Sequence, residues 1–492
     1  MRKAILKSRS RKYILFILAF IVLASALGYV LIGNLVRGRH KHPNVLLITI
    51  DALRADHLGC YGYPLETSPN IDRLAKRGVL FKDCTVQWPK TWPSMASMIT
   101  GAYPKTTGMR LERLVLPPSF NVMSEIFGEA GYTTGAVVAN YNIGKKFGFD
   151  QGFDHFVESW QDMWKQKKGD RPFVFRIGKI KNYTNATIVT DQALGFLEDL
   201  EGDSPFFLWL HYMDPHGPYE PPKDYTIYFK GAHRREPVPL RKIPRYQVQN
   251  RKGNPITDVG FYKTEYDREI RYLDDEIGRL LSELTKLSFN TATLIIFTAD
   301  HGESLGDHDY YLEHGKLPYQ PCAHIPLIIV QKDVLPQGRT IDEPVGLIDV
   351  SATAVDLAGI KIPGSFEGQS LKDLILGEED ALVPDYVFME SGYNRSGFHK
   401  TVRSNRWKLI QFLDGENSQS KNGLGFELYD IREDPSELNN VASDHPEMVD
   451  SLSRVLEEWY SSGPRFEKGK EIDLDSLDER SREMLRSLGY IK

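Results

Sequence analysis

The sequence predicts an α/β protein, a doubly wound sheet followed by a small C-terminal α+β subdomain and preceded by one transmembrane helix. Three observations carry that expectation. Tyr13 to Val36 runs without a charge. From residue 43 to about residue 380, apolar runs of strand length alternate with amphipathic stretches of helix length, the pattern of a sheet with helices on both faces. Beyond Pro384, short alternating segments replace it. With 492 residues and 41% hydrophobic side chains, the chain can bury one large core and a smaller one.

The basic arm, residues 1–12, holds Arg2, Lys3, Lys7, Arg9, Arg11 and Lys12 and no acid. Residues 13–36, at about 1.5 Å per residue, suffice to cross a hydrocarbon core of roughly 30 Å, so the lipid bilayer is an expected partner. Because the arm outweighs Arg37, Arg39 and Lys41, the N-terminus is expected in the cytoplasm and the remainder in the periplasm or outside the cell. Ala24-Ser25-Ala26 offers a cleaved signal peptide as the alternative, but the apolar run continues past it. A net charge of −5 argues against nucleic acid as a partner. Cys60, Cys84 and Cys322 have neither zinc nor redox spacing, which leaves at most one disulfide, or free thiols.

The catalytic domain is expected over 43–380. Val45 to Ile50 reads as an apolar strand ending in Asp51, and Thr293 to Thr298 as another ending in Asp300-His301-Gly302-Glu303. Phe206 to His211 empties into Asp214-Pro215-His216, and Thr134 to Ala139 and Pro326 to Val330 are further strands. Ligands of parallel sheets gather beyond the carboxyl ends of the strands, so Asp51, Asp300 and His301 can share one metal ion with Thr91. Thr91 lies in Lys90–Gly101, where Pro93 suits a first helical turn, Met95, Met98 and Ile99 form a buried face, and Thr100-Gly101 close the helix. A helix mouth, with its converging N–H groups, suits an anionic substrate. The plain alternative for Thr91, Asp51 and Asp300 is helix capping. Thr264 to Leu287 reads as an amphipathic helix with Asp267, Glu269, Asp274 and Asp275 on a solvated face.

Asp51-Ala52-Leu53-Arg54-Ala55-Asp56-His57-Leu58-Gly59-Cys60-Tyr61-Gly62, the Pro93-Ser94 to Thr100-Gly101 helix, Asp214-Pro215-His216, Thr298-Ala299-Asp300-His301-Gly302, His314-Gly315-Lys316 and Glu427-Leu428-Tyr429-Asp430 occur in that order. They resemble the sulfatase branch of the alkaline phosphatase-like superfamily, over nearly everything after residue 42. The resemblance implies an alkaline phosphatase-like fold and an ester hydrolase or transferase. Two departures bear on the chemistry. Sulfatases oxidise a Cys or Ser to formylglycine within Cys/Ser-x-Pro-x-Arg, whereas Thr91 and Met95 stand at the two ends here, and threonine cannot give the same aldehyde. The family's Gly-Lys-Trp-His segment falls near Val138-Ala139-Asn140-Tyr141 without its two sulfate-binding side chains. Asn140 and His211 are left as candidate substrate contacts, although His211, with Asp214, Arg54 and Asp56, also reads as a residue that orients its neighbours.

What remains resembles the Thr-nucleophile relatives, namely phosphodiesterases, phosphoethanolamine transferases and phosphoglycerol transferases. The expectation is therefore phosphodiester or phosphoryl-group chemistry through a covalent Thr91 ester. Sulfuric ester hydrolysis is the alternative, and a noncatalytic anion-binding relative the second. A divalent cation on Asp51, Thr91, Asp300 and His301 would lower the cost of ionising the hydroxyl, and His216 and Lys316 would offset charge on the leaving oxygen. His301 in place of the family's Asn favours Mn²⁺, Zn²⁺ or Fe²⁺, with Ca²⁺ the usual family ion. The expected substrate is a glycan sulfate or phosphate, or a phospholipid headgroup.

Ser159 to Asn182 and Pro221 to Asn254 have no sustained period and mix basic with aromatic residues, suiting lids or loops for an anionic glycan or phospholipid headgroup, or plain surface loops. Asn182-Tyr183-Thr184 and Asn185-Ala186-Thr187 match glycosylation sequons. In the C-terminal subdomain, 384–462, strands are expected at Tyr386 to Glu390, Lys400 to Arg403 and Trp407 to Phe412, with a helix from Pro446 to Tyr460. The charged tail, 463–492, spaces Leu474, Leu477, Leu485 and Leu488 for a helix that docks back on the body or binds a partner.

Overall fold

The computed structural model describes residues 42–110, 114–160, 185–200, 204–251, 253–287, 289, 293–392, 397–413, 425–463, 471–473 and 477–487. The expected transmembrane segment lies outside them, as do nearly all of 159–182 and the Asn182 sequon. Among the described residues no helix is long and apolar enough to cross a membrane.

Continuous apolar runs form the centre of a nine-stranded sheet. Asn44–Ile50 (β1), Phe206–Tyr212 and Thr293–Ala299 are buried along their whole length, as strands covered on both faces must be. Val79–Thr85 (β2) was not foreseen, because Lys82-Asp83 interrupts its apolar pattern. Thr133–Val138 is β3, His155–Glu158 β4, Phe206–Tyr212 β5, Thr293–Ala299 β6, His324–Gln331 β7, Arg339–Ile341 β8 and Val345–Gly346 β9. Their order is β8-β2-β7-β6-β1-β5-β3-β4, with β9 also on β2.

Neighbours from β6 to β4 are parallel, but β7 runs antiparallel to both β6 and β2, so the sheet is mixed rather than uniformly wound. A parallel return needs a crossover of about a dozen residues or more, usually a helix. Between Asp300 and β7 the chain instead spends its length on loops, a two-stranded ribbon and the short turn Gln320–Ala323.

Helix α1 is Pro69–Lys76, α2 Thr91–Thr100, α3 Ala186–Glu198 and α4 Val259–Lys286. The solvated acidic face expected on α4 is wrong for three of its four acids. Asp267, Glu269 and Asp274 are fully buried, each claimed by donors from another segment. Asp274 accepts the backbone N–H groups of Asn70 and Ile71 and so caps α1 from a different helix. Glu269 accepts from the Glu220 N–H, and Asp267 receives His57, Tyr63 and His233. Helical spacing reported amphipathicity but not that loops would cover the polar stripe. Asn185, from the second sequon, caps α3 by accepting from the Ile188 N–H.

The C-terminal subdomain is a four-stranded antiparallel sheet with strands Val387–Ser391 (β10), His399–Arg403 (β11), Trp407–Phe412 (β12) and Phe426–Asp430 (β13), the last beyond what the sequence suggested. Helix Pro446–Ser461 (α5) packs on it through Leu452 and Leu456. Lys408 on β12, wholly buried, pairs with Glu437 and donates to the Pro318 carbonyl, which locks the subdomain to the loop after Lys316. The tail docks on the body: Leu477 and Leu485, the second in helix Glu479–Ser487, join the main core. All three cysteines are free.

Candidate active site

Four neighbouring strands deliver one polar cluster to the carboxyl edge of the sheet. Asp300 and His301 follow β6, Asp51 follows β1, His211 lies near the end of β5, and Asn140 follows β3. Backbone bonds from Asp51 N to Tyr212 O and Asp300 N to Ile50 O, 2.9 and 3.1 Å, extend the ladder to the site itself. Thr91 opens α2 above this edge, with Lys90 in the cap position and Gly101, at φ 60°, ending the helix. Ser94 Oγ donates to the Asp300 carbonyl at 2.6 Å, pinning the first turn of α2 to the end of β6.

Thr91, Asp51, Asn140, His211, His216, Asp300 and His301 are all buried. Thr91 Oγ1 lies 3.2 Å from His301 Nε2 and 3.5 Å from Asn140 Nδ2. His301 Nδ1 donates to the Gly302 carbonyl at 2.7 Å; a carbonyl can only accept, so Nε2 of the neutral ring presents its lone pair to the hydroxyl. Burial keeps that ring neutral, its pKa well below the usual imidazole range. Asp51 Oδ2 accepts from Asn140 Nδ2 at 2.6 Å and faces His211 Nε2 at 3.4 Å. His211 Nδ1 is in turn 2.9 Å from Thr49 Oγ1, whose own proton goes to the Leu210 carbonyl, so Nδ1 is the donor there. Ala52, beside Asp51, holds φ at 58° and donates its N–H to Asp300 Oδ1 at 3.0 Å.

The two carboxyls differ in charge. Burial opposes ionisation of Asp51, but His216, His211 and His301 around it hold its pKa well below the ordinary value. Burial and the neighbouring Asp51 charge push Asp300 well above it. Among the described residues, Asp51 Oδ1 and Asp300 Oδ2 are buried with no hydrogen-bond donor. Asp51, His211 and Asp300 each offer a ligand atom within 4.8 Å of the others. Two orphaned carboxyl oxygens and an imidazole nitrogen beside them fit a divalent cation.

Not every expected residue joins this cluster. Lys316 pairs with Glu313 at 2.6 Å, and no described contact ties it to Thr91 or Asp51. His216 does join it: buried beside Asp51, it donates Nδ1 to the Gly217 carbonyl at 2.7 Å and meets His314 edge-on with ring centroids 5.1 Å apart. His211 lies against Asp51 and belongs with the potential ligands. Sequence reasoning missed two members. His314 stacks on His301 with ring centroids 4.0 Å apart, its pKa lowered by burial to about 4, and its Nδ1 is 3.2 Å from Glu303 Oε1. The run His314-Gly315-Lys316 was the available signal, but attention went to the lysine. Lys90, buried beside Thr91, packs so closely on Gly315 that a Cβ there would meet its Cδ at 3.2 Å.

A mixed sheet that gathers paired carboxyls under a helix-mouth hydroxyl is the architecture of the alkaline phosphatase-like ester hydrolases. Within that class the chain belongs to the sulfatase family, whose model, described as Sulfatase, matches residues 43–360. A second model, N-sulphoglucosamine sulphohydrolase, C-terminal, matches residues 306–461. Among curated proteins, the chain is 29% identical over 482 residues to an arylsulfatase of Clostridium perfringens, covering 87% of this chain and 98% of that one. It is 24% identical over 515 residues to an N-acetylglucosamine-6-O-sulfatase of Bacteroides thetaiotaomicron, covering 88% and 89%. A solved structure in complex with its substrate D-glucosamine-2-N,6-O-disulfate shares the fold at TM-score 0.67, 22% identity, covering 85% of this chain and 98% of that one. The phosphonate monoester hydrolase of Agrobacterium radiobacter shares it equally, at TM-score 0.67 and 20% identity, covering 85% and 95%. The relatives' names favour sulfuric esters over the phosphodiester chemistry expected from Thr91 alone.

Proposed function

We propose that this chain hydrolyses sulfuric esters of glycans through the Thr91 hydroxyl, in a domain exported from the cytoplasm and anchored by residues 13–36. The sulfatase names of its relatives support the ester class, and the charge-free N-terminal run supports the anchor. The observation that carries the mechanism is the 3.2 Å approach of Thr91 Oγ1 to a His301 nitrogen whose other ring nitrogen is already engaged.

Asp51, His211 and Asp300, with Thr91 completing the set, would hold one divalent cation, while His301, expected among the ligands, turns its one free lone pair to the Thr91 hydroxyl; the His211 imidazole favours Mn²⁺, Zn²⁺ or Fe²⁺, with Ca²⁺ as the family's usual ion. Bound there, it supplies positive charge that lowers the cost of ionising the hydroxyl. The chain's own residues do the rest. Ser94 fixes the helix mouth, Asn140 steadies Asp51, and the hydrogen bond from Oγ1 to His301 turns the oxygen's lone pairs towards the ester. As Oγ1 gives its proton to His301 Nε2, that oxygen bonds to sulfur, the bond from sulfur to the alcohol oxygen breaks, and the departing oxygen takes a proton from water, which is resupplied by His301. Water then cleaves the Thr91 sulfate ester. Lys316 reaches the departing oxygen only by leaving Glu313, and His216, whose ring proton is held by the Gly217 carbonyl, contributes position rather than a proton there.

Phosphodiester cleavage is the second reading, favoured by Thr91 itself, which cannot become formylglycine. Turnover of an aryl sulfate, a glucosamine sulfate and a bis-aryl phosphate by metal-supplemented protein separates the two. The proposal predicts higher kcat/KM on the sulfates, and loss of activity in a folded Thr91→Ala variant. The opposite ranking establishes the second reading, and an active Thr91→Ala variant removes Thr91 from the mechanism.

A further inference from the structure

The insertion at 221–254 has no part in the ester chemistry, and its charge is unlike that of the rest of the chain. It holds nine Lys and Arg against two acids, in a chain whose net charge is −5. We propose that it is a strap that binds a polyanion, holding the remaining sulfated units of an extended glycan whose ester enters the Thr91 pocket; this rests on the sulfated-glycan reading above.

The strap follows α4 and ends near the pocket. Tyr225 OH donates to Asp275 at 3.0 Å, Arg268 donates to the Tyr228 carbonyl at 3.0 Å, His233 meets Asp267 at 2.7 Å, and Arg235 lies 3.5 Å from Asp258. From residue 275 back to 258 is about 25 Å of helix at about 1.5 Å per residue. The strap then crosses to the loop leading into His314, where Lys242 pairs with Asp309 and Gln247 Nε2 donates to the Leu312 carbonyl at 3.3 Å.

The inner side of the strap is therefore spent on α4 and the 309–312 loop. On the outer side Lys223, Lys230, Arg234, Arg241 and Arg245 are exposed, and among the described residues none of them forms an ion pair. The α4 acids under the strap are already engaged, Asp267 with His57, Tyr63 and His233, and Asp275 with Tyr225 and Arg271. Exposed cations gathered on one segment and left without ion pairs attract a polyanion and release its counterions on binding. An anionic membrane would also attract them, but surface insertion needs a continuous apolar face. The strap's exposed large aliphatic residues, Ile227 and Leu240, are far apart in sequence and form no such face.

The test compares the full-length chain with a variant combining Lys223→Gln, Lys230→Gln, Arg234→Gln, Arg241→Gln and Arg245→Gln. Both are titrated against dextran sulfate, neutral dextran and phosphatidylglycerol vesicles, with turnover of a small aryl ester measured in parallel. The proposal predicts that at about 0.1 M salt the variant loses roughly tenfold or more in dextran sulfate affinity, with a shallower salt dependence. Small-ester turnover and melting temperature stay unchanged, and neither protein binds neutral dextran. Unchanged dextran sulfate affinity, or a loss confined to vesicles, overturns it. Failure of the wild type on every sulfate ester would refute the functional reading instead, since polyanion binding is measured without turnover.

Discussion

Asp300→Asn separates cation binding from folding at one atom. In the metal-free protein, burial and Asp51 push the Asp300 pKa well above its ordinary value, so the folded state keeps a proton over a pH range in which the unfolded chain has released it. A carboxyl raised in this way contributes full stability below its unfolded pKa of about 4 and loses it as pH climbs towards the folded value. The amide carries no such penalty, and its oxygen can still accept from the Ala52 and His301 N–H groups, now 3.0 and 2.7 Å from Oδ1. The metal-free variant should therefore match the wild type near pH 4 and exceed it at pH 7, by on the order of 1 kcal/mol. Cation response goes the other way. A cation at a hundred times its Kd stabilises the wild type by about 2.7 kcal/mol, and removing one anionic ligand should abolish most of that gain. Thermal melts after chelation, with and without added Mn²⁺ or Ca²⁺, read both quantities. A variant that keeps the full cation-induced shift, or that is less stable than the wild type without metal at pH 7, refutes the reasoning.

Glu303, pushed by burial up to about 8, should cost the wild type stability progressively between about pH 4.5 and pH 8. Glu303→Gln removes that cost, so chemical denaturation should find the variant more stable at pH 9, by on the order of 2 kcal/mol, and equal to the wild type near pH 4. Glu437→Leu strands the buried Lys408 and should lose about 3 kcal/mol, measured as earlier unfolding of the C-terminal subdomain by hydrogen exchange. Adding Lys408→Met should recover most of the loss; no recovery would mean that the stranded Lys408 charge is not its cause.

The central strands were legible because burial on both faces writes itself as unbroken apolar runs: five were located to within two residues at each end. The acids and imidazoles at their carboxyl ends announced the site, since polar groups directly after such runs have few other uses. What the sequence hid was tertiary. Nothing in the runs distinguishes the reversed strand β7 from its parallel neighbours. The buried acids of α4 read as solvated because their donors, the backbone at Asn70 and Glu220 and the side chains of His57 and His233, come from distant segments. His211 was not legible as a potential ligand, because only the pairing of β1 with β5 brings it to Asp51. Thr91 pulled the chemical expectation towards phosphate, whereas the match over 43–360 belongs to a family of sulfatases.

Mass spectrometry of the full-length protein, quenched within its first turnovers of an aryl sulfate and digested for peptide mapping, addresses the nucleophile itself. The account predicts an added SO₃ group on the peptide carrying Thr91, localised to that residue and absent from Asp300→Asn. Steady turnover with Thr91 unmodified, or the adduct on any other side chain, would contradict it.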